Sequence, residues 1–330
     1  MKKALVIRYG AFGDAIMVSS ILPFLKRDGY HINMNCTDRV RQVLINNPYI
    51  DEWMIYKDDS VPNDKLDEHW AEVSRGFDKV INLTGSIEDS LLIPEFKPDK
   101  FWADKDEVHG KCNVNYYDRT MELAGYPVKG MKGELYFSRY ERMCANQLRK
   151  KFKNKFLILW SLSGSAFHKV YPFTEEVACR FLDAHPDAYM ITVGDVFCRI
   201  LEFPHPQIRH RSDGWCIRRS MAVTQVADLV VGTETGIINA AGCFNTPKIV
   251  LLSHSSKENL TKYFDNCISL YAKDCECYPC HRLIYSRHVC MTDPVYGATE
   301  CMAKISPEMV LDSMETFYER WKEKKRWDTS

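Results

Sequence analysis

Ala4-Leu5-Val6-Ile7-Arg8-Tyr9-Gly10-Ala11-Phe12-Gly13-Asp14 is the stretch on which the fold turns. A short apolar run ends on two glycines, and from Ala15 to Leu25 apolar residues recur at helical spacing: Ile16, Met17, Ile21, Leu22 and Leu25. Strand, tight turn, helix is the opening of a βαβ unit. Working outward, His31–Cys36, Glu52–Tyr56 and Lys79–Leu83 read as further strands with polar or helical stretches between them. Strands that alternate with helices pair in parallel, and helices cover both faces of the sheet.

A second series follows a basic, helix-like stretch from Arg139 to Lys155. Phe156–Leu162, Tyr189–Val193, Leu229–Val231 and Lys248–Leu252 read as core strands, and Glu175–Leu182 as a helix. The pattern predicts two Rossmann-like, doubly wound α/β domains, over 1–150 and 151–305. Residues 306–330 add a C-terminal helix that starts at Ser306-Pro307 and is expected to pack back on the N-terminal domain.

Composition narrows the class. The 330 residues are 45% hydrophobic and 27% charged, which suits a globular chain and excludes a fibre, a coiled coil or a disordered chain. Forty-four basic residues balance 44 acidic ones, so no global charge draws the chain to nucleic acid or anionic lipid. The opening apolar run is too short for a signal peptide or a membrane span, and no transmembrane segment is expected. Thirteen cysteines without a secretory signal are expected to stay reduced, in the cytoplasm.

Three turns carry the candidate chemistry. Arg8 to Asp14 lies where an open parallel sheet binds ligands, outside the carboxyl ends of its strands. Its G-x-x-G spacing is not the dinucleotide fingerprint, and Asp14 would oppose a pyrophosphate there. Asp14 reads either as a general base facing a cleft or as a plain helix N-cap. In the second half, Gly232-Thr233-Glu234-Thr235-Gly236 runs from an apolar strand into a helix of small residues, and Ser163-Gly164-Ser165 precedes His168 and Lys169. Two turns rich in N–H groups beside a lysine suit a diphosphate.

In chain order, Arg8…Gly13-Asp14, Asn82-Leu83-Thr84-Gly85, Ser163-Gly164-Ser165…Lys169 and Val231-Gly232-Thr233-Glu234-Thr235-Gly236 resemble the ADP-heptose:lipopolysaccharide heptosyltransferases, glycosyltransferase family 9. The resemblance implies a GT-B architecture: two Rossmann-like domains facing a cleft, the acceptor held by the first and the donor by the second. It implies inversion at the anomeric carbon without an essential metal or other cofactor. By position, Asp14 would be the base, with Arg8, Gly10 and Gly13 on the acceptor side. Ser163, Ser165, Lys169, Glu234, Thr235, Gly236 and Asn239 would hold the nucleotide-sugar donor, an ADP-heptose by family default. The chain departs from the family at Glu234, where Asp is usual, and at Asn239, where His is usual, so another donor is open.

The expected acceptor is a hydroxyl such as that of a lipopolysaccharide sugar, reached through peripheral membrane contact. A hydroxylated base of phage DNA is the rival acceptor; a non-catalytic nucleotide-sugar-binding protein and a nucleotide-sugar epimerase are rival functions. Basic residues at Arg149–Lys155 and at Arg209, Arg211, Arg218 and Arg219 read as a solvated face or as a track for an anionic acceptor. Cys277-x2-Cys280 has zinc-knuckle spacing, and Cys290 and Cys301 would complete a structural zinc site; the alternatives are a decoration of the fold and a catalytic thiol.

Overall fold

The computed structural model describes residues 1–57, 61–84, 112–281 and 290–327. Gly85 lies outside the described residues. Strands β1 (Lys2–Arg8), β2 (Tyr30–Thr37), β3 (Glu52–Tyr56) and β4 (Lys79–Asn82) form one parallel sheet in the order β3-β2-β1-β4. Strands β5 (Phe156–Ser161), β6 (Ala188–Val193), β7 (Ile208–His210), β8 (Leu229–Thr233), β9 (Lys248–Leu251) and β10 (Cys267–Leu270) form a second. It is also wholly parallel, in the order β10-β9-β8-β5-β6-β7.

Strand order locates the crevices. In the first sheet the winding reverses between β1 and β4, and in the second between β5 and β8. Loops leaving the carboxyl ends of such neighbours part to opposite faces and leave a gap for a ligand. Arg8 and Asn82 end the first pair; Ser161 and Thr233 end the second. Ala4 to Arg8 and Phe156 to Ser161 are buried throughout, as parallel strands covered on both faces must be.

Three sequence expectations are corrected in detail. The helix expected over Ala15–Leu25 is two, Phe12–Val18 and Leu22–Arg27. Pro23 has no N–H for the carbonyl of Ser19 and its ring would clash there, so the helix breaks before it. The hydroxyls of Ser19 and Ser20 take the Ile16 and Met17 carbonyls at the break. Strands β7 and β10 escaped notice because they are short edge strands, with only one of seven residues fully buried.

The domain seam also moves. Two compact units emerge, and the described chain passes between them at 113–114 and again at 138–139, rather than once near residue 150. The Arg139–Lys151 helix belongs to the second unit because its polar residues are spent there. Arg149 Nη1 lies 2.8 Å from Asp228, and Arg218 grips Glu141 with Nε and Nη2 at 2.6 and 2.8 Å. Cys112 and Asn113 belong to the second unit as well: Asn259 Nδ2 donates to the Cys112 carbonyl at 3.0 Å, and the Ser256 hydroxyl donates to Asn113 Oδ1. The terminal helix, Pro307–Trp327, buries Val310, Met314 and Phe317 in the second unit's core with Phe156 and Phe181. Among the described residues no helix is long and apolar enough to cross a membrane.

Candidate functional site

In the first unit the turn after β1 is built around Asp14. Arg8, the last strand residue, is 1% exposed. Its Nη1 donates to the Leu83 carbonyl at 2.6 Å, spanning the gap between β1 and β4, and its Nη2 reaches Asp14 Oδ1 at 3.0 Å. Asp14 stands at the third helical position, not at the cap, and its Oδ2 accepts the Ala11 N–H at 2.7 Å. Its side chain keeps 17% exposure. Gly10 adopts φ +130°, and a Cβ there would lie 2.6 Å from Asp14 Oδ2. Only glycine allows both that backbone and that approach. Arg8, expected on the acceptor side, is sealed beneath the turn and acts on Asp14 instead. Gly10 and Gly13 remain half-buried at the turn.

In the second unit two turns meet at the switch point. Ser163-Gly164-Ser165 leaves β5, and Glu234-Thr235-Gly236 leaves β8. They touch through Ser161 Oγ and Thr235 Oγ1, 3.2 Å apart, and through Lys169, whose Nζ donates to the Glu234 carbonyl at 3.0 Å. A Cβ on Gly164 would lie 2.5 Å from the Lys169 side chain and 3.4 Å from Thr235. Lys169, Thr235, Gly236 and Ser163 are half-buried and Ser165 is exposed, so this group borders open space.

Two expected donor contacts point elsewhere. Asn239 is buried and its amide donates to the Thr235 carbonyl at 3.0 Å, holding the helix start. Glu234 is 6% exposed, and its carboxylate turns inward to the turn after β9. Oε1 accepts the N–H groups of Ser253, His254 and Ser255 at 2.8, 3.2 and 3.2 Å and the Ser255 hydroxyl at 2.9 Å. Oε2 accepts the Ser253 hydroxyl at 2.6 Å, and His254 Nδ1 lies 3.4 Å from Oε1. Burial alone would raise this carboxyl's pKa; His254, Lys169 and the Ser253 hydroxyl outweigh it and hold it well below the usual range. The sequence signal for Ser253, His254 and Ser255 was a hydroxyl-rich turn after a core strand, level with an acid after the neighbouring strand.

His168 is buried edge-on to His254, with ring centroids 4.9 Å apart, rather than facing a ligand. Burial pushes its pKa down to about 2, helped by His254 and Lys169. Of the basic residues, Arg149 and Arg218 are committed to Asp228 and Glu141. Arg211 and Arg219 lie over the Trp215 ring, at 6.0 and 4.6 Å.

Among the cysteines, Cys280 and Cys301 are buried and Cys290 is half-buried. Cys277 pairs with Cys275, sulfur to sulfur at 3.5 Å, and a hydrogen bond from Cys277 pulls the Cys275 thiol down to about 7. Among the described residues no three His, Cys, Asp or Glu side chains converge as a metal-ligand set.

Solved structures share this fold. A family 9 glycosyl transferase from Veillonella parvula matches with a TM-score of 0.68 at 15% identity, over 96% of this chain and 97% of that one. The E. coli ADP-heptose LPS heptosyltransferase II matches with a TM-score of 0.65 at 15% identity, over 98% and 100%. The E. coli heptosyltransferase WaaC with ADP matches with a TM-score of 0.53 at 12% identity, over 81% and 92%. No protein-family model matches the chain, and no curated protein does. The fold is therefore the GT-B-like one, two parallel-sheet α/β domains, found in glycosyltransferases of family 9.

Proposed function

We propose that this chain is an inverting glycosyltransferase that moves a sugar from a nucleoside diphosphate to a hydroxyl acceptor. The observation that carries this reading is the state of Asp14: a carboxylate at a sheet switch point, aimed by a buried arginine and still open to solvent. Asp14 takes the proton of the acceptor hydroxyl as that oxygen bonds to the anomeric carbon. The bond from that carbon to the diphosphate oxygen breaks, and its electron pair leaves with the nucleotide. Lys169 neutralises the departing charge, with the Thr235 hydroxyl and the N–H groups of the two turns beside it. Ser163 and Ser165 line the same turn.

The donor class follows the neighbours: one is described as an ADP-heptose transferase and another binds ADP. An ADP-sugar, heptose first, is therefore the donor to try. For the acceptor, Arg149 and Arg218 are withdrawn from any track along DNA phosphates because both are paired inside the second unit. A sugar hydroxyl, as in a lipopolysaccharide core, is the acceptor to try first, with a DNA base as the rival.

The test is a thermal-shift panel of nucleotide sugars on the full chain, followed by turnover with Asp14→Asn. A true donor at about 100 times its Kd adds about 2.7 kcal/mol to stability. No shift with any nucleotide sugar, or wild-type turnover by Asp14→Asn, overturns the reading.

A further inference from the structure

We propose that Glu234 is a positioning residue, a brace that never touches the donor and holds Lys169 in place by tying the turn after β8 to the turn after β9. The inference rests on the donor-site reading given above and adds to it the residue that fixes its geometry.

Glu234 makes two kinds of contact in opposite directions. Its main-chain carbonyl faces the open side and receives Lys169 Nζ at 3.0 Å. Its carboxylate faces the interior and receives three N–H groups and two hydroxyls from Ser253, His254 and Ser255. A carbonyl can aim an ammonium only as well as its own residue is fixed. In a turn that leaves a strand, fixing must come from outside the strand's ladder, and here it comes from five donors on one side chain. His281 N donates to the His254 carbonyl at 2.8 Å and Tyr278 OH to the Ser255 carbonyl at 3.0 Å, so the receiving turn is itself anchored from behind. The depressed pKa of the carboxyl agrees, since those donors favour the charged acceptor.

The reach of the side chain is what the brace requires. Aspartate at 234 keeps the charge but is one methylene short of the 253–255 turn. Glutamine keeps the length and loses the charge. A purely electrostatic role would tolerate aspartate; a brace would not.

The experiment uses the full chain with Glu234→Asp, Glu234→Gln, Lys169→Met and the double variant Glu234→Asp/Lys169→Met, with ADP as probe in titration calorimetry. Losing hydrogen bonds to a charged group is expected to weaken ADP about ten-fold in Glu234→Asp. The double variant should bind no worse than Lys169→Met alone, because residues that act through one another are not additive. Additive losses, or wild-type affinity in Glu234→Asp, overturn the proposal. A second measurement needs no nucleotide: acetylation of Lys169 by an N-hydroxysuccinimide ester, read by peptide mass spectrometry against Lys150. It should rise several-fold in Glu234→Asp with Lys150 unchanged; an unchanged Lys169 overturns the proposal. Should wild-type protein bind no ADP, the donor-site reading fails, and the brace is judged on acetylation alone. Should Glu234→Asp not fold, Ser253→Ala/Ser255→Ala removes the two hydroxyl donors from the other side and should raise Lys169 acetylation about two- to three-fold. No rise there also overturns it.

Discussion

Asp14 and Glu234 both follow a strand beside a switch point, Asp14 in the first turn of the helix and Glu234 in the turn before one, and the structure treats them oppositely. Asp14 has two donors, one a buried guanidinium, and remains partly open. Glu234 has five hydrogen-bond donors and a histidine beside it, and is closed. A buried carboxylate held by five donors is closed to a substrate proton, whereas one with an open side can take it. The contrast teaches that two acids at similar strand ends divide into a chemical group and a structural one, and that burial and the number of donors separate them.

The hardest test of that contrast is Asp14→Ala. Losing a general base should lower kcat by about 10²–10⁴ while donor affinity stays near wild type. Steady-state kinetics beside calorimetry separates the two, and a comparable kcat loss with collapsed donor affinity would blur the distinction. Lys169→Ala comes next and should weaken donor binding and turnover together, by about 10²-fold in kcat/KM, the scale of one lost electrostatic stabiliser. Unchanged donor affinity there would show the diphosphate site to be misplaced.

Gly10→Ala sharpens the comparison on the first side. A Cβ at that φ, 2.6 Å from Asp14 Oδ2, must push the carboxylate off its partners. The strain is expected to cost about 1–3 kcal/mol in chemical denaturation, with kcat reduced about ten-fold or more.

The smallest effect concerns pH and the second side. His168 is held neutral in the fold, so unfolded chains bind more protons than folded ones below the ordinary histidine pKa. Stability is then full above about 6.5 and falls by about 1.4 kcal/mol for each unit below that. Glu234 has the opposite charge type but the same direction. Its pKa is depressed in the fold, so its contribution is present above the ordinary carboxylate range and is lost as pH falls through it. Denaturation midpoints between pH 7 and pH 5 should therefore drop, and His168→Gln should flatten that limb; an unflattened slope assigns the acid sensitivity elsewhere.

Much of the fold was legible because parallel strands announce themselves as apolar runs that end in small residues. Ala4–Arg8 and Phe156–Leu162 are such runs, and both proved to be central strands beside a switch point. Edge strands such as Ile208–His210 gave no comparable signal, since half-exposed positions tolerate mixed residues. The site was legible as turns and opaque as side-chain directions. Lys169 reaches the Glu234 carbonyl and Ser161 lies beside Thr235, but nothing local in Gly-Thr-Glu-Thr-Gly says that Glu234 faces inward. Its partners lie about twenty residues on, and only the pairing of β8 with β9 brings them alongside. The direction of Arg8 was opaque for a related reason: nothing beside it in the sequence says that its guanidinium spans to the Leu83 carbonyl.

The contacts of Cys112 and Asn113 bear on how the gene could be divided. Asn259 is completely enclosed, and the carbonyl it grips comes from upstream of the whole Val114–Ser138 excursion into the other unit. A fragment begun at Arg139 would leave that enclosed amide without its acceptor, and one begun at 151 would also strip Asp228 and Arg218 of their counter-charges. Transplanting the second unit onto another first unit thus calls for a graft with more than one junction, since no single crossover keeps its interior intact.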